Sequence, residues 1–189
     1  MKDIKKLKKQ IAAYTPYNEQ EAQDKKFMLD FLEKIGIHSF YRDSIVAHFT
    51  TSAFIFNKEH TKVLMCEHII DNSLSWIGGH ADGIANLMRV VCREINEETG
   101  ITNYHPVKGR IAALTCIAIP GHEKNGKYVS SHVHMDVAYI FEADEDEELK
   151  SCPGENTGVR WVTLEEMRDQ VADVWKTKRV YEKLIERYA

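Results

Sequence analysis

The chain has 189 residues, a length that suits one ordinary domain able to bury a sizeable core without disulfides or a structural metal. Its 25 basic and 29 acidic side chains give a formal charge of −4 without a concentrated basic stripe, so we expect no stable nucleic-acid partner. No apolar run is long enough for a secretory signal or a membrane span, which predicts a cytoplasmic protein with no membrane partner.

The first part of the chain is predicted to be helical. The segment NEQEAQDKKFMLDFLEKIG begins with Asn18 and Glu21 in a capping arrangement and ends at Gly36, and a weaker helix precedes it. Its apolar residues recur at helical spacing and predict one buried stripe, formed by Phe27, Met28, Phe31, Leu32 and Ile35.

Strands are predicted in the middle of the chain. The segments SIVAHFTTSAFIFN and KVLMCEH, separated by the polar turn NKEHT, indicate a hairpin. The segments GRIAALTCIAIP, HVHMDVAYIFEA and GVRWV indicate further strands, and Thr163 and Glu166 then cap a helical region that extends to about Tyr188. Strands flanked by helices predict a mixed sheet covered by helices.

The segment GGHADGIANLMRVVCREINEETGI, residues 78–101, carries the most specific pattern. A helix is predicted over 85–99, and its buried face is formed by Met88, Val91, Cys92 and Ile95. Three carboxylates lie close together at the margin of that face, those of Glu94, Glu97 and Glu98. Like charges at these spacings repel by about 0.2–0.5 kcal/mol per pair in an isolated helix. Either a solvated face with basic neighbours or a hard cation such as Mg²⁺, which prefers oxygen ligands, would offset the repulsion.

This segment resembles the signature of the Nudix hydrolases, G-x5-E-x7-R-E-U-x-E-E-x-G-U, in which U is a bulky aliphatic residue. The matching residues are Gly79, Arg93, Glu94, Ile95, Glu97, Glu98, Gly100 and Ile101. The flanking segments, over about residues 38–168, and the GGHADG loop resemble one bacterial subgroup of that family. The resemblance implies an α/β (α+β) fold, a three-layer α/β/α sandwich with a mixed β-sheet. It also implies a single domain over residues 1–189, with residues 1–42 as an N-terminal helical extension.

The resemblance also implies a site and a reaction. Glu94, Glu97 and Glu98 would hold Mg²⁺ or Mn²⁺, and Arg93 would pair with one of these carboxylates and orient it. The implied reaction is cleavage of a diphosphate linkage by water attack at phosphorus, in a nucleoside diphosphate-linked or related small molecule. The predicted substrate-binding residues are Gly78, Gly79, His80 and His134. Because many relatives are dimers, a homodimer is possible.

One position departs from the signature, since Ala85 stands where its first glutamate belongs. Asp82 lies nearby and is a possible substitute.

Outside the signature, His132, His134 and Asp136 alternate and therefore share one side of a strand. This spacing suits a metal or a substrate, although structural histidines are commoner. Three aromatic residues, Trp76, Tyr128 and Tyr139, can stack on a substrate ring, although strand aromatics are usually core. The separated cysteines Cys66, Cys92, Cys116 and Cys152 indicate reduced, buried thiols.

Two alternatives stay open at this point. One is an enzyme similar to the isopentenyl-diphosphate isomerases, because His48 and His80 resemble their metal-binding histidines. Those enzymes need a cysteine where this chain has Gly78, and they lack an intact REUxEE run. The other is a nucleotide-binding sensor without turnover, which Ala85 favours. Hydrolysis fits the residues better than either alternative.

Overall fold

Helices occupy both ends of the chain, as the sequence predicts. The computed structural model describes residues 2–68, 73–124, 126–152, 154 and 156–189. Within these ranges the helices are α1 (Lys2–Ala13), α2 (Glu19–Ile35), α3 (Leu87–Thr99), α4 (Leu164–Gln170), α5 (Val174–Lys176) and α6 (Glu182–Tyr188). A 3-10 turn, Gly36–Phe40, follows α2, and a π-helical turn, Thr177–Tyr181, joins α5 to α6.

The strands between these helices form a mixed sheet. They are β1 (Ala47–Asn57), β2 (Lys62–His68), β3 (Ser73–Ser75), β4 (Ile77–His80), β5 (Tyr104–Pro106), β6 (Ala113–Ile119), β7 (His122–Lys124), β8 (Lys127–Val129), β9 (His132–Ala143) and β10 (Asn156–Thr163). In the described residues, eight of them form one sheet with the order β10-β2-β1-β9-β5, extended by β3 on β2, β4 on β1 and β6 on β9. The separate pair β7 and β8 forms a hairpin. The predicted hairpin of β1 and β2 is confirmed.

The centre of the sheet is the parallel pair β1 and β9, and every residue of β1 is buried. Both faces are covered, which is typical of a parallel pair in an α/β fold. On one face Phe49, Ala53 and Ile55 join an apolar cluster with α1, α2 and α3. On the other face Phe54 and Phe56 join a second cluster with α4 and α6. The predicted three-layer α/β/α sandwich is therefore confirmed.

The N-terminal helices are joined to the C-terminal helix by a buried polar contact. Lys183 on α6 lies 2.8 Å from a carboxylate oxygen of Glu21 on α2, and their side chains are 3% and 0% exposed. Tyr14 donates a hydrogen bond to the same carboxylate, and the Lys183 ammonium also donates to the Thr115 hydroxyl on β6. The two ends of the chain thus meet at one edge of the sheet.

Several local details differ from the sequence predictions. The central helix begins at Leu87, because the side chain of Asn86 accepts a hydrogen bond from the Arg89 N–H and caps it there. In the predicted stripe of α2, Phe27 and Ile35 are 40% and 39% exposed. The capping box of Thr163 and Glu166 is confirmed. Beyond it the predicted C-terminal helix is interrupted after Gln170 by extended backbone and resumes as α5.

No helix in the described part of the chain combines the length and the apolar character needed to cross a bilayer.

Candidate functional site

Strand β4 and helix α3 position the carboxylates that the sequence singled out. β4 pairs with the first half of β1, with Gly79 opposite Thr51 and Gly78 opposite Ser52. After a short loop the chain enters α3, whose residues Val91 and Ile95 pack into the sheet. The helix ends at Gly100, where a φ of 75° places the backbone in the left-handed region that favours glycine. This packing fixes α3 against β4.

Two of the three carboxylates on α3 are buried against this strand. Glu94 is 7% exposed and Glu98 is 6% exposed. Glu98 accepts a hydrogen bond of 3.3 Å from the backbone N–H of Gly78. A Cβ atom added at Gly79 would lie 2.6 Å from the carboxyl carbon of Glu94, so the absence of a side chain makes room for that carboxylate. The third side chain, Glu97, is 56% exposed.

Arg93 supplies the counter-charge next to these groups. Its guanidinium forms an ion pair with Glu94 and lies 3.6 Å from Glu97, one turn further along the helix. These contacts hold the two carboxylates on the same side of Arg93 and reduce their repulsion, which the sequence left unexplained. The resemblance implied an ion pair of this kind, and the role of Arg93 in orienting a metal ligand stays a prediction.

A second polar group lies on the other face of the sheet. Side chains alternate along a strand, so His48 and Thr50 on β1 share the face of Phe54, and His80 on β4 lies opposite Thr50. On β9, His134 pairs with His48. One ligand nitrogen from each of His48, His80 and His134 lies within 4.8 Å of the others. In the described residues no other group of three or more histidine, cysteine or acidic side chains converges in this way.

The imidazoles in this group are neutral at pH 7. Burial lowers the pKa of His80 to about 3 and that of His134 to about 2, and neighbouring positive charge on Arg42 acts in the same direction. Burial also lowers the pKa of His48, although a hydrogen bond to the Ser44 carbonyl opposes this. A neutral ring keeps one nitrogen lone pair, which is the form that binds a metal or accepts a hydrogen bond.

Asp136 lies beyond the histidines on the same face, as the alternation in β9 predicts. It is 2% exposed and accepts hydrogen bonds of 2.8 Å from the hydroxyls of Thr50 and Ser52. Burial raises the pKa of Asp136 to about 6, and the two hydroxyl donors oppose that rise. The sequence did not indicate Thr50 or Ser52, because only the parallel pairing of β1 with β9 brings them to this carboxyl group.

The structure therefore separates the predicted site residues into two sets. Glu94 and Glu98 lie on the α3 side of β4, whereas His80 and His134 lie on the opposite side. The main chain of Gly78 and Gly79 runs between the two sets and adds no side-chain bulk. In the described residues the three glutamates do not converge as tightly as the histidines do.

Other candidate residues have different surroundings. Asp82 forms a two-contact ion pair with Arg42, with both distances 2.7 Å, and Ala85 is buried in the apolar cluster beside α3. Trp76, between β3 and β4, and Tyr139, on β9, are core residues, whereas Tyr128 on β8 is 71% exposed. The four cysteines Cys66, Cys92, Cys116 and Cys152 are free thiols that are buried or half-buried.

Comparisons with known proteins agree with this architecture. A family model described as NUDIX domain matches residues 46–184. No curated protein sequence gives a significant match. Among solved structures, the Nudix domain of Shewanella oneidensis NrtR complexed with ADP-ribose is 15% identical, and the alignment covers 85% of this chain and 97% of that one with a TM-score of 0.51.

Two further structures share the fold. The Ap4A hydrolase of C. elegans is 16% identical over 75% of this chain and 98% of its own, with a TM-score of 0.50. The Nudix hydrolase RenU from M. smegmatis is 12% identical over 75% of this chain and 88% of its own, with a TM-score of 0.51. At these identities the similarity establishes the fold.

Proposed function

This chain belongs to the NUDIX domain family. We propose that it is a hydrolase acting on acid anhydrides and that it cleaves the diphosphate linkage of a nucleoside diphosphate-linked or related small molecule. The proposed cofactor is Mg²⁺ or Mn²⁺, held by Glu94, Glu97 and Glu98. Water is the proposed nucleophile and phosphorus the atom attacked. A cytoplasmic location and a homodimeric state stay predictions from the sequence.

The observation that carries this proposal is the burial of two carboxylates against a glycine backbone. Burial of Glu94 and Glu98 costs free energy unless each charge is compensated, because a carboxylate loses its water shell. Arg93 supplies a counter-charge to Glu94. The carboxylate oxygens gathered there are ligands that a hard cation such as Mg²⁺ prefers, and such a cation keeps several waters of its own.

The chain's own residues have defined parts in this proposal. Arg93 orients Glu94 and Glu97, and the Gly78 N–H fixes one oxygen of Glu98. A divalent cation at these carboxylates supplies charge stabilisation to the diphosphate and lowers the pKa of a bound water.

The substrate-binding residues are proposed on both sides of this segment. Gly78 and Gly79 are proposed to contact the substrate through their backbone. His80 and His134 lie on the other side of the sheet, where their neutral rings can interact with substrate oxygens. The Arg42–Asp82 pair lies close enough to shift the pKa of His80.

The test is phosphate release, after treatment with a phosphatase, from a panel that includes ADP-ribose and diadenosine tetraphosphate, with Mg²⁺, Mn²⁺ or a chelator. Glu98→Gln and Glu97→Gln are expected to lower cation-dependent turnover by at least about 100-fold, because each removes a charged oxygen ligand. Glu165→Gln is the matched control, because this exposed residue of α4 lies outside the site.

Circular dichroism and thermal unfolding would show that each variant is folded. Full activity of the Glu97→Gln, Glu98→Gln double variant would contradict the proposed metal site. Cation-dependent binding of a panel compound without any turnover would contradict hydrolysis and favour a sensor.

A further inference from the structure

The histidine group contains a buried nitrogen whose lone pair has no partner. His48 is 4% exposed, and its Nδ1 lies 3.2 Å from the carbonyl oxygen of Ser44. A carbonyl oxygen only accepts, so Nδ1 carries the proton and Nε2 keeps the lone pair. No hydrogen-bond donor in the described residues reaches that Nε2. A buried acceptor left without a partner costs about 1–3 kcal/mol, and each such group in a folded protein needs an explanation.

The neighbouring histidines are oriented by a chain of hydrogen bonds. His132 Nδ1 lies 2.8 Å from the carbonyl oxygen of Ser130, so Nδ1 donates and Nε2 accepts. The Nε2 atoms of His132 and His134 are 3.1 Å apart, which makes His134 the donor and leaves its Nδ1 lone pair available. Metal-binding histidines are commonly fixed through the second ring nitrogen in this way, as His48 is through Ser44 and His134 through His132.

The arrangement is rigid because separate strands supply the three rings that converge. β1, β4 and β9 carry His48, His80 and His134 and are joined by continuous backbone pairing. Ring centroids are 5.2 Å apart for His48 and His80, 5.0 Å for His48 and His134, and 4.8 Å for His80 and His134. A single water can donate to two of these lone pairs at most, whereas a cation can satisfy three at once.

The distances are close to those of an occupied site. Tetrahedral Zn²⁺ with Zn–N bonds of about 2.0–2.1 Å places its nitrogen ligands about 3.3 Å apart. Here one ring nitrogen from each of the three histidines lies within 4.8 Å of the others. Moving each nitrogen inward by about 1 Å would give the metal-bound spacing. Arg42 and Lys124 are nearby positive charges, and Asp82 neutralises Arg42 through two contacts.

We propose that His48, His80 and His134 bind one divalent transition-metal ion, with Zn²⁺ the best match. Imidazole nitrogens suit such ions, and three of them with one open position form a zinc site that accepts a water or a ligand oxygen. His80 and His134 are half-buried, so solvent reaches the group and can supply the fourth ligand. His132 is a positioning residue for His134. This nitrogen site is distinct from the carboxylates of α3 and does not depend on the proposed hydrolase activity.

The test is metal binding by untagged protein from which metals have been removed with a chelator. Co²⁺, which replaces Zn²⁺ and absorbs visible light when tetrahedral, is titrated first, and Zn²⁺ is then added in competition. One equivalent of Co²⁺ is expected to produce the tetrahedral absorption bands, and Zn²⁺ is expected to abolish them. Zn²⁺ should also raise the unfolding temperature of the wild-type protein.

Matched variants separate this site from the others. His80→Gln and His134→Gln are expected to weaken Zn²⁺ binding by at least about 100-fold, because each removes one nitrogen ligand. His38→Gln, which changes an exposed histidine outside the group, should bind as the wild type does. Glu98→Gln should also keep the Co²⁺ absorption bands, and this result would separate the histidine site from the carboxylate site even if no substrate is hydrolysed.

Two results would overturn the proposal. One is the absence of tetrahedral Co²⁺ absorption and of Zn²⁺ binding in the wild-type protein. The other is unchanged binding in a folded His80→Gln, His134→Gln double variant. His48→Gln is not needed for this test, so misfolding caused by a change at the most buried ring does not affect the conclusion.

Discussion

Replacing Gly79 with alanine tests the link between β4 and the buried carboxylate of Glu94. The added Cβ would lie 2.6 Å from the carboxyl carbon and 2.7 and 2.8 Å from its two oxygens. Unstrained carbon contacts lie at about 3.5–4.0 Å, so this atom would be about 1 Å too close. Overpacking of this kind typically costs about 1–3 kcal/mol. For a chain of this size that corresponds to a fall in unfolding temperature of about 2–12 °C.

Gly158→Ala is the matched control. Gly158 also lies in a strand without a positive φ, and its added Cβ would meet only the flexible end of Glu67, at 3.2 Å. The free energy of unfolding of Gly158→Ala is expected to stay within about 0.5 kcal/mol of the wild-type value. The free energy of unfolding is measured by urea denaturation, together with the thermal transition.

A variant that lacks the Glu94 side chain tests whether the clash causes the loss of stability in Gly79→Ala. In a Glu94→Ala protein the obstructing carboxylate is gone, so Gly79→Ala should then cost less by at least about 1 kcal/mol. Equal destabilisation in both backgrounds would refute the reasoning. In the wild-type background, the displaced carboxylate is also expected to lower the proposed cation-dependent hydrolysis by about 10- to 100-fold.

Three further predictions concern stability and reactivity. Lys183→Met should lower the free energy of unfolding by about 3–5 kcal/mol in urea denaturation, because it leaves the Glu21 carboxylate buried without its counter-charge. A loss below about 1 kcal/mol would show that the ion pair is not needed for stability. Thr163→Ala should lower the free energy of unfolding by about 1 kcal/mol in the same assay, because it removes the hydroxyl of the capping box. Thr163→Ser keeps a hydroxyl and should lower it much less. Burial raises the pKa of the Cys66 thiol to about 12, so about one molecule in 10⁴ carries the thiolate at pH 8. A thiol reagent should therefore modify Cys66 only after unfolding, and rapid labelling of the native protein, followed by mass spectrometry, would contradict this.

The local elements were predictable because their signals lie within a few residues. Asn18 caps α2 through the N–H of Glu21, and Thr163 caps α4 through the N–H of Glu166, as their sequence spacing indicates. Alternating and helical apolar patterns likewise located most strands and part of the buried face of α3, since Val91 and Ile95 are buried whereas Met88 and Cys92 are half-buried. Local patterns did not predict the interruption of the C-terminal helix after Gln170, because it depends on how the C-terminal helices pack on the sheet.

The sequence alone determined the family, the three-layer fold and the identity of the α3 carboxylates, since a spaced signature needs no knowledge of distant contacts. Only the tertiary structure decided which of those carboxylates are buried and which groups face them. The parallel pairing of β1 with β9 brings His48 beside His134, and the pairing of β4 with β1 adds His80. Strand register depends on packing between segments far apart in the chain, so no local pattern in one sequence specifies that these three rings share a site.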